Sequence, residues 1–131
     1  MKWQSSPEIS KRIGFLIRNL QLTNIIPERI FCFTSVGSSS RAIARIWSLP
    51  RIWQQALSTG PGYCLEVISE KFNRLSLPEQ EKVLIHELLH VPLSFSGSLS
   101  PHRNQFHRTY KHYHDRVDHL FNSLAVKSFE K

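Results

Sequence analysis

The segment SLPEQEKVLIHELLHVP, from Ser76 to Pro92, predicts the helix around which the rest of the fold is arranged. Ser76 and Glu79 have the spacing of a capping box, and Pro78 is tolerated in the first turn because its missing N–H would have no helical partner there. Apolar residues then occur nearly all the way round the helix, which is typical of a buried element. Pro92 should stop it, because proline inside a helix costs about 3 kcal/mol. We therefore expect a central, buried helix.

The C-terminal half of this helix contains the pattern His-Glu-x-x-His. His86 and His90 are four residues apart, so both project from one helix face, about 6 Å apart along the axis. Imidazoles at this spacing can bind one Zn²⁺ at about 2.0–2.1 Å. Glu87 would lie beside the metal, where a carboxylate can take a proton from water whose pKa the metal has lowered toward ~7. The pattern predicts a zinc peptidase site with Glu87 as general base; hydrogen-bonded core histidines and a metal site without catalysis are the alternatives.

Two known zinc-peptidase patterns fail when the rest of the chain is compared with them. A metzincin needs glycine and histidine three and six residues after the second ligand, where this chain has Leu93 and Ser96. A gluzincin takes a later glutamate as third ligand, and only Glu130 follows the motif. Neither class supplies the third ligand.

His102 is the third ligand that we favour. The eleven residues from Val91 to Pro101 form a loop long enough to return to the motif helix. His107 is an alternative, and so are an aspartate (Asp115 or Asp118) and another of the downstream histidines. A structural zinc site would need a fourth protein ligand instead of an open position.

Other periodic segments predict a single α+β domain over residues 1–131, with a small, mostly antiparallel sheet. An N-terminal helix should begin at a capping box of Ser5 and Glu8, and a C-terminal helix should run from about residue 103 to 126. The predicted strands are Arg29–Val36, Ala42–Leu49 and Tyr63–Ser69, whereas Arg51–Leu57 is ambiguous between a strand and a short helical turn.

Composition places the chain in the cytoplasm. No apolar run approaches the ~20 residues that span a bilayer, and the N-terminus lacks the apolar core of a signal peptide. Cys32 and Cys64 lie in apolar, strand-like stretches. We expect both to be buried free thiols, because a disulfide is unfavourable in a reducing compartment.

The net charge of +7 is concentrated in the N-terminal half, where residues 1–65 have eight Lys and Arg against two Glu. A basic half could bind nucleic acid or another polyanion. Trp47 and Trp53, with Arg41, Arg45 and Arg51, could form such a face. We favour core packing of both tryptophans with the arginines at the rim.

The stretch from Ala42 to His102 also resembles a known family: the small zinc metallopeptidases of archaea, bacteria and phages. The matching residues are Tyr63, Glu66, Val67, Ile68, Ser69, Phe72, Leu75, His86, Glu87, Leu88, Leu89, His90, Pro92, Gly97, Leu99, Pro101 and His102. The resemblance implies a zincin-like fold related to SprT-like and minimal gluzincin proteins, and it supports His102 as third ligand. It implies peptide hydrolysis but no particular substrate.

Zincin architecture implies a mechanism as well. The strand before the motif helix, Tyr63–Ser69, would pair with an extended peptide through its edge. Glu87 would activate water and later protonate the leaving amine. The oxyanion stabiliser stays open among Arg103, His107, Tyr110 and Tyr113. We expect Glu66 to be a surface or structural carboxylate, not a partner of a ligand histidine.

Overall fold

A mixed four-stranded sheet and helices make up the chain, which confirms the α+β class. The computed structural model describes the backbone of residues 1–100 and 113–129, and the side chains of 1–100 and 115–124. In chain order the elements are β1 (Lys2–Ser5), α1 (Pro7–Asn19), a 3₁₀ turn (Pro27–Arg29), β2 (Ile30–Val36), β3 (Ala44–Ser48), α2 (Arg51–Ala56), β4 (Tyr63–Ile68), α3 (Ser69–Phe72), α4 (Leu77–Leu88) and α5 (Tyr113–Phe129). The ambiguous segment after β3 is therefore a helix.

The sheet has the strand order β1-β2-β4-β3. Its outer pairings, β1 with β2 and β3 with β4, are antiparallel, as expected for a mostly antiparallel sheet. The central pairing of β2 with β4 is parallel, because β3 and α2 supply the long crossover that parallel neighbours need. The strand that leads to α4 is therefore in the interior of the sheet, and β1 and β3 are its edges.

One face of the sheet forms the core together with α1 and α4. Alternation along β2 and β4 directs Ile30, Cys32, Leu65 and Val67 to this face, and all of them are buried. The helices contribute the residues Ile13, Leu16, Leu84, Ile85 and Leu88 to the same cluster. Burial of each such side chain stabilises the fold by about 1.5–3 kcal/mol. This packing holds the motif helix α4 against the sheet.

The N-terminus differs from the predicted start of the first helix. Ser5 ends β1, where it pairs with Phe33, so the helix cap is Ser6, whose Oγ accepts a hydrogen bond from the N–H of Ile9 at 3.2 Å. Strand β1 was not predicted, because its residues are exposed on both faces and show no apolar alternation. In contrast, the predicted cap at Ser76 is correct: its Oγ accepts from the N–H of Glu79 at 3.3 Å.

The C-terminal helix is confirmed over Tyr113–Phe129, and the rest of its predicted range, residues 103–112, lies outside the described residues. Val117, Leu120 and Leu124 are buried in the core cluster. Within residues 1–100 and 113–129 we find no helix with the length and hydropathy that a membrane-spanning segment needs. The extent of the domain over 1–131 and its cytoplasmic location stay predictions.

Both cysteines are free, as predicted. Cys32 is buried on the core face, and Cys64 is half-buried on the opposite face of the sheet. Two thiols on opposite faces of a sheet cannot form a disulfide without a large backbone change.

Candidate metal centre and active site

The histidine motif lies where α4 ends. The helix ends at Leu88, four residues before Pro92, and the next turn is tighter than an α-helix. In it, His90 N–H donates to Glu87 O and Val91 N–H donates to Leu88 O, each at 3.1 Å. Pro92 explains this ending, because the residue before a proline is disfavoured in the helical conformation. His86 therefore lies on the helix and His90 on its final turn.

The structure brings the two predicted histidine ligands together. The centroids of their rings are 5.3 Å apart, and the ring planes are inclined by 70°. His90 Nδ1 is 2.8 Å from the carbonyl oxygen of Ser100. Because a carbonyl can only accept, Nδ1 must carry the proton in this contact, and the lone pair is then on Nε2. A backbone carbonyl that selects the tautomer in this way is typical of metal-binding histidines.

Hydrogen bonds to His90 and Tyr63 hold the segment from Val91 to Ser100, which we call the return loop. Ser100 N–H donates to the carbonyl of His90 at 2.7 Å. The hydroxyl of Tyr63 donates to Ser98 O at 2.7 Å and accepts from Gly97 N–H at 2.9 Å. The buried tyrosine of β4 thus positions the loop that orients His90.

Gly97 joins the return loop to the end of β3. Its carbonyl accepts from Leu49 N–H at 3.1 Å, and its φ of +93° lies in the region that favours glycine. A Cβ at this position would collide with the side-chain amide of Gln54 and with the carbonyl of Leu49. Only glycine fits here.

Glu87 is the buried acid of the motif. Its side chain is 8% exposed, and burial raises the pKa of its carboxyl group to about 7. Among the described residues, no group donates a hydrogen bond to it. A carboxyl group with this pKa can both accept and release a proton near neutral pH, which is what a general base that later acts as an acid requires.

A cavity of about 420 Å³ opens beside the motif. The described residues that line it are Arg41, Ala42, Ile43, Ala44, Lys82, Val83, His86, Glu87, Val117 and Asp118. Its walls come from the start of β3 and the residues before it, from the motif helix and from α5. The volume is sufficient for a substrate side chain next to Glu87.

The alternative aspartate ligands do not complete a metal site. Asp118 forms an ion pair with Lys82 at 3.3 Å, and Asp115 is exposed. Among the residues whose side chains are described, no group of three or more His, Cys, Asp or Glu could hold a metal ion. His102 and His107 lie outside the described residues, as do Arg103 and Tyr110; the side chain of Tyr113 is not described either.

The prediction that β4 offers its edge to a peptide is wrong. Strand β4 pairs with β2 on one side and with β3 on the other, so its backbone groups are already used. Strand β3 is the edge strand on this side of the sheet. It packs against α4, and its first residue lines the cavity that contains Glu87.

Glu66 is a structural carboxylate, and it is not on the surface. Its side chain is 1% exposed, and Oε1 accepts from Arg45 Nε and from Trp47 Nε1, each at 2.9 Å. Burial opposes its ionisation, but Ser35, Arg45 and Trp47 together hold its pKa below the usual range. Ser35 Oγ and Glu66 Oε2 are both buried, and neither has a partner with hydrogen-bond geometry among the described residues.

The expectation that both tryptophans pack in the core is wrong. Trp47 is 44% exposed and Trp53 is 57% exposed. Trp47 alternates with the buried Ile46 and therefore points to the face opposite the core. That face contains a second cavity, of about 350 Å³, lined by Trp3, Phe33, Trp47, Cys64 and Glu66. The alternation Arg45-Ile46-Trp47 is the sequence signal from which the outward direction of Trp47 could have been predicted.

Comparison with protein families gives a match over most of the chain. The model of the family described as "Putative phage metallopeptidase" matches residues 1–125. The chain belongs to this family. Membership in this phage metallopeptidase family implies a metal cofactor and a peptide or protein substrate. No curated protein and no solved structure shows significant similarity to the chain.

Proposed function

We propose that this protein is a zinc-dependent metallopeptidase with a zincin-like site. Glu87 is the general base, and His86, His90 and His102 are the metal ligands. The observation that carries the proposal is the pair of adjacent imidazoles beside a buried carboxylate, one of them held by the Ser100 carbonyl. Family membership supports the reaction class.

The donors present fit zinc. Two neutral imidazoles with an open further position are typical of catalytic zinc sites, in which a third protein ligand and one exchangeable position complete the tetrahedron. The metal would supply a Lewis acid that polarises the scissile carbonyl and lowers the pKa of water. Glu87 takes the proton from the attacking water and delivers it to the leaving amine.

Chain connectivity supports His102 over His107 as third ligand. Ser100 is bound through both its N–H and its carbonyl to His90. A residue two positions later cannot be more than about 7 Å from it, measured between Cα atoms, whereas one seven positions later can be more than 20 Å away. The first described segment, residues 1–100, therefore ends beside the second ligand at Ser100, two residues before His102 in sequence.

The edge of β3 that pairs with no described strand is the place where we expect the peptide. An extended chain that adds to this edge would gain main-chain hydrogen bonds, while its side chains alternate between solvent and the site. Since Ala44 and Glu87 line one cavity, a bond paired near the start of β3 would lie within reach of the base.

Two other readings make different predictions. A zinc-stabilised interaction domain would bind the metal without hydrolysing peptides. Nucleic-acid binding by the basic N-terminal half also stays a prediction: Trp47 and Trp53 are exposed, as stacking on bases requires, but Arg45 is neutralised by Glu66. Steeply salt-dependent DNA binding would favour that reading.

Replacement of the base tests the proposal. Glu87→Gln should retain about one zinc per chain by elemental analysis but lower the hydrolysis of a quenched fluorescent peptide library by at least about 100-fold, as loss of a general base does. Glu79→Gln is the matched control, because Glu79 lies on the same helix at its exposed N-terminal turn. Full activity of Glu87→Gln, or wild-type protein that takes up no zinc, would refute the assignment.

A further inference from the structure

The cavity beside Glu87 combines apolar walls with a charged rim. Ile43, Val83 and Val117 contribute its apolar surface, and Arg41, Lys82 and Asp118 contribute charges. Such a lining suits a side chain with an aliphatic stem and a polar end, because each part then meets a group of its own kind.

Two of the rim charges neutralise each other. Lys82 Nζ is 3.3 Å from Asp118 Oδ1, and it also lies 5.1 Å from the centre of the Phe121 ring. Arg41, in contrast, has no ion pair and no ring contact with any described residue. Among the lining residues that the structure describes, its guanidinium is the cation without a paired anion, and a ligand could satisfy its charge.

The segment that presents Arg41 is held in place on both sides. Ser40 N–H donates to Ser38 Oγ, and Ala42 N–H donates to Ser40 Oγ, each at 3.1 Å. Lys71 Nζ donates to the carbonyl of Ser40 at 2.6 Å, and Ile68 N–H donates to the carbonyl of Ile43 at 2.9 Å. A cation on a fixed backbone loses less entropy on binding an anion than one on a free loop.

We propose that this cavity selects a carboxylate on the substrate next to the scissile bond, with Arg41 as the residue that determines the specificity. The inference rests on the proposed peptidase function and adds the substrate class. The guanidinium offers paired N–H donors that match the two oxygens of a carboxylate. The aliphatic stem of a glutamate would lie along Ile43, Val83 and Val117.

The carboxylate has two possible sources: an acidic side chain within a longer peptide or the free C-terminus of a shorter one. We favour the side chain, because the free edge of β3 continues from Ala44 to Ser48 and can accommodate an extended peptide. The experiment below includes both sources, so that an exopeptidase preference is recognised when it occurs.

Binding to the catalytically silent Glu87→Gln protein, in buffer with excess zinc, tests the inference without relying on turnover. Fluorescence anisotropy would compare labelled octapeptides that carry Glu or Gln at each central position, in C-terminally amidated and free-acid forms. A partly screened charge pair is worth about 1 kcal/mol, so the best Glu peptide should bind about fivefold more tightly than its Gln counterpart.

Three further variants in the Glu87→Gln background identify the residue responsible. Arg41→Gln should bring the Glu-to-Gln affinity ratio to about 1, and Arg41→Glu should bring it below 1, because like charges then repel. Asp118→Asn should increase the ratio, because Lys82 loses its partner. Arg51→Gln, which replaces an exposed arginine on α2 outside the cavity, is the control and should leave the ratio unchanged.

Several results would overturn the inference. They are equal binding of Glu and Gln peptides, a Glu preference that survives Arg41→Gln, and the absence of binding by any peptide. Preference for free-acid over amidated peptides, irrespective of the central residue, would overturn the side-chain source and identify the C-terminus instead. Failure of the peptidase assignment would give a different result, because wild-type protein would then bind these peptides but never cleave them.

Discussion

Gly97 links the end of β3 to the loop that orients His90. Its carbonyl accepts a hydrogen bond from Leu49 N–H, and the same loop contains Ser100, whose carbonyl contacts His90. We predict that Gly97→Ala lowers the free energy of unfolding by about 2–4 kcal/mol, because the new Cβ is strained at positive φ and overlaps Gln54 and Leu49. It should also weaken zinc binding, since the displaced loop contains the carbonyl that orients His90. Urea denaturation followed by circular dichroism, and zinc titration against a competing chelator, measure the two effects.

Gly60→Ala is the matched control for this prediction. No heavy atom would lie within 4 Å of a Cβ at Gly60, and its φ is not in the left-handed region. Its stability should therefore change by less than about 0.5 kcal/mol or increase slightly, because alanine restricts the unfolded chain. A Gly97→Ala protein as stable as Gly60→Ala would show that the return loop can rearrange at little cost.

Local spacing made part of the candidate site predictable at the level of residues. His86 and Glu87 are adjacent in sequence and His90 follows one turn later, so helical geometry alone brings them together. Glu66 was harder to interpret, because its burial depends on Arg45 and Trp47 of another strand. The role of Tyr63, which holds the return loop through its hydroxyl, was missed for the same reason: its partners at Gly97 and Ser98 are distant in sequence.

A buried carboxylate of β4 attaches β3 in addition to the backbone ladder. Glu66 accepts from both Arg45 and Trp47 of β3. Glu66→Gln should lower the free energy of unfolding at pH 7 by about 1–3 kcal/mol, the usual contribution of hydrogen bonds to a charged group. Glu28→Gln, at an exposed acid of the 3₁₀ turn, is the control and should have little effect.

The pH dependence of this effect follows from the lowered pKa of Glu66. A carboxyl group whose pKa is lower in the folded than in the unfolded protein stabilises the fold fully above the unfolded value, here 4.5. The contribution disappears as the pH falls through the lower, folded value. Urea midpoints measured from pH 7 down to pH 3 should therefore converge for wild type and Glu66→Gln, and a constant difference would contradict the charge argument.

Sequence patterns were more informative about the helices than about the sheet. The cap at Ser76 was predicted correctly, and Pro92 lies about one turn beyond the end of α4 at Leu88, because these signals act within a single turn. Strand β1 carried no such signal, and the direction of the β2–β4 pairing depends on a crossover that no local pattern encodes. The mistaken assignment of the peptide-binding edge to β4 follows from that missing information.

At the scale of the whole molecule, a bound metal should stabilise the fold, because it binds the folded chain in preference to the unfolded one. At a free zinc concentration about 100 times the dissociation constant, the gain is about 2.7 kcal/mol. Thermal unfolding followed by circular dichroism should show a higher Tm with zinc than with a chelator. His90→Ala should abolish the difference, whereas His119→Ala, at an exposed position of α5, should retain it.

An unchanged Tm on addition of zinc would argue against a metal centre at the motif. A difference that persists in His90→Ala would place the metal elsewhere in the chain. The two outcomes are separate, because the first concerns whether zinc binds and the second concerns where.

The exposure of the aromatic side chains also determines how the protein can be studied by fluorescence. Trp3, Trp47 and Trp53 are all between 44% and 57% exposed, and the chain has three tryptophans. Indole emission in the folded state should therefore already be close to that in water, so that unfolding produces only a small red shift. The same rings are natural reporters for anything that covers the outer face of the sheet or α2, since their emission would shift to shorter wavelength on contact.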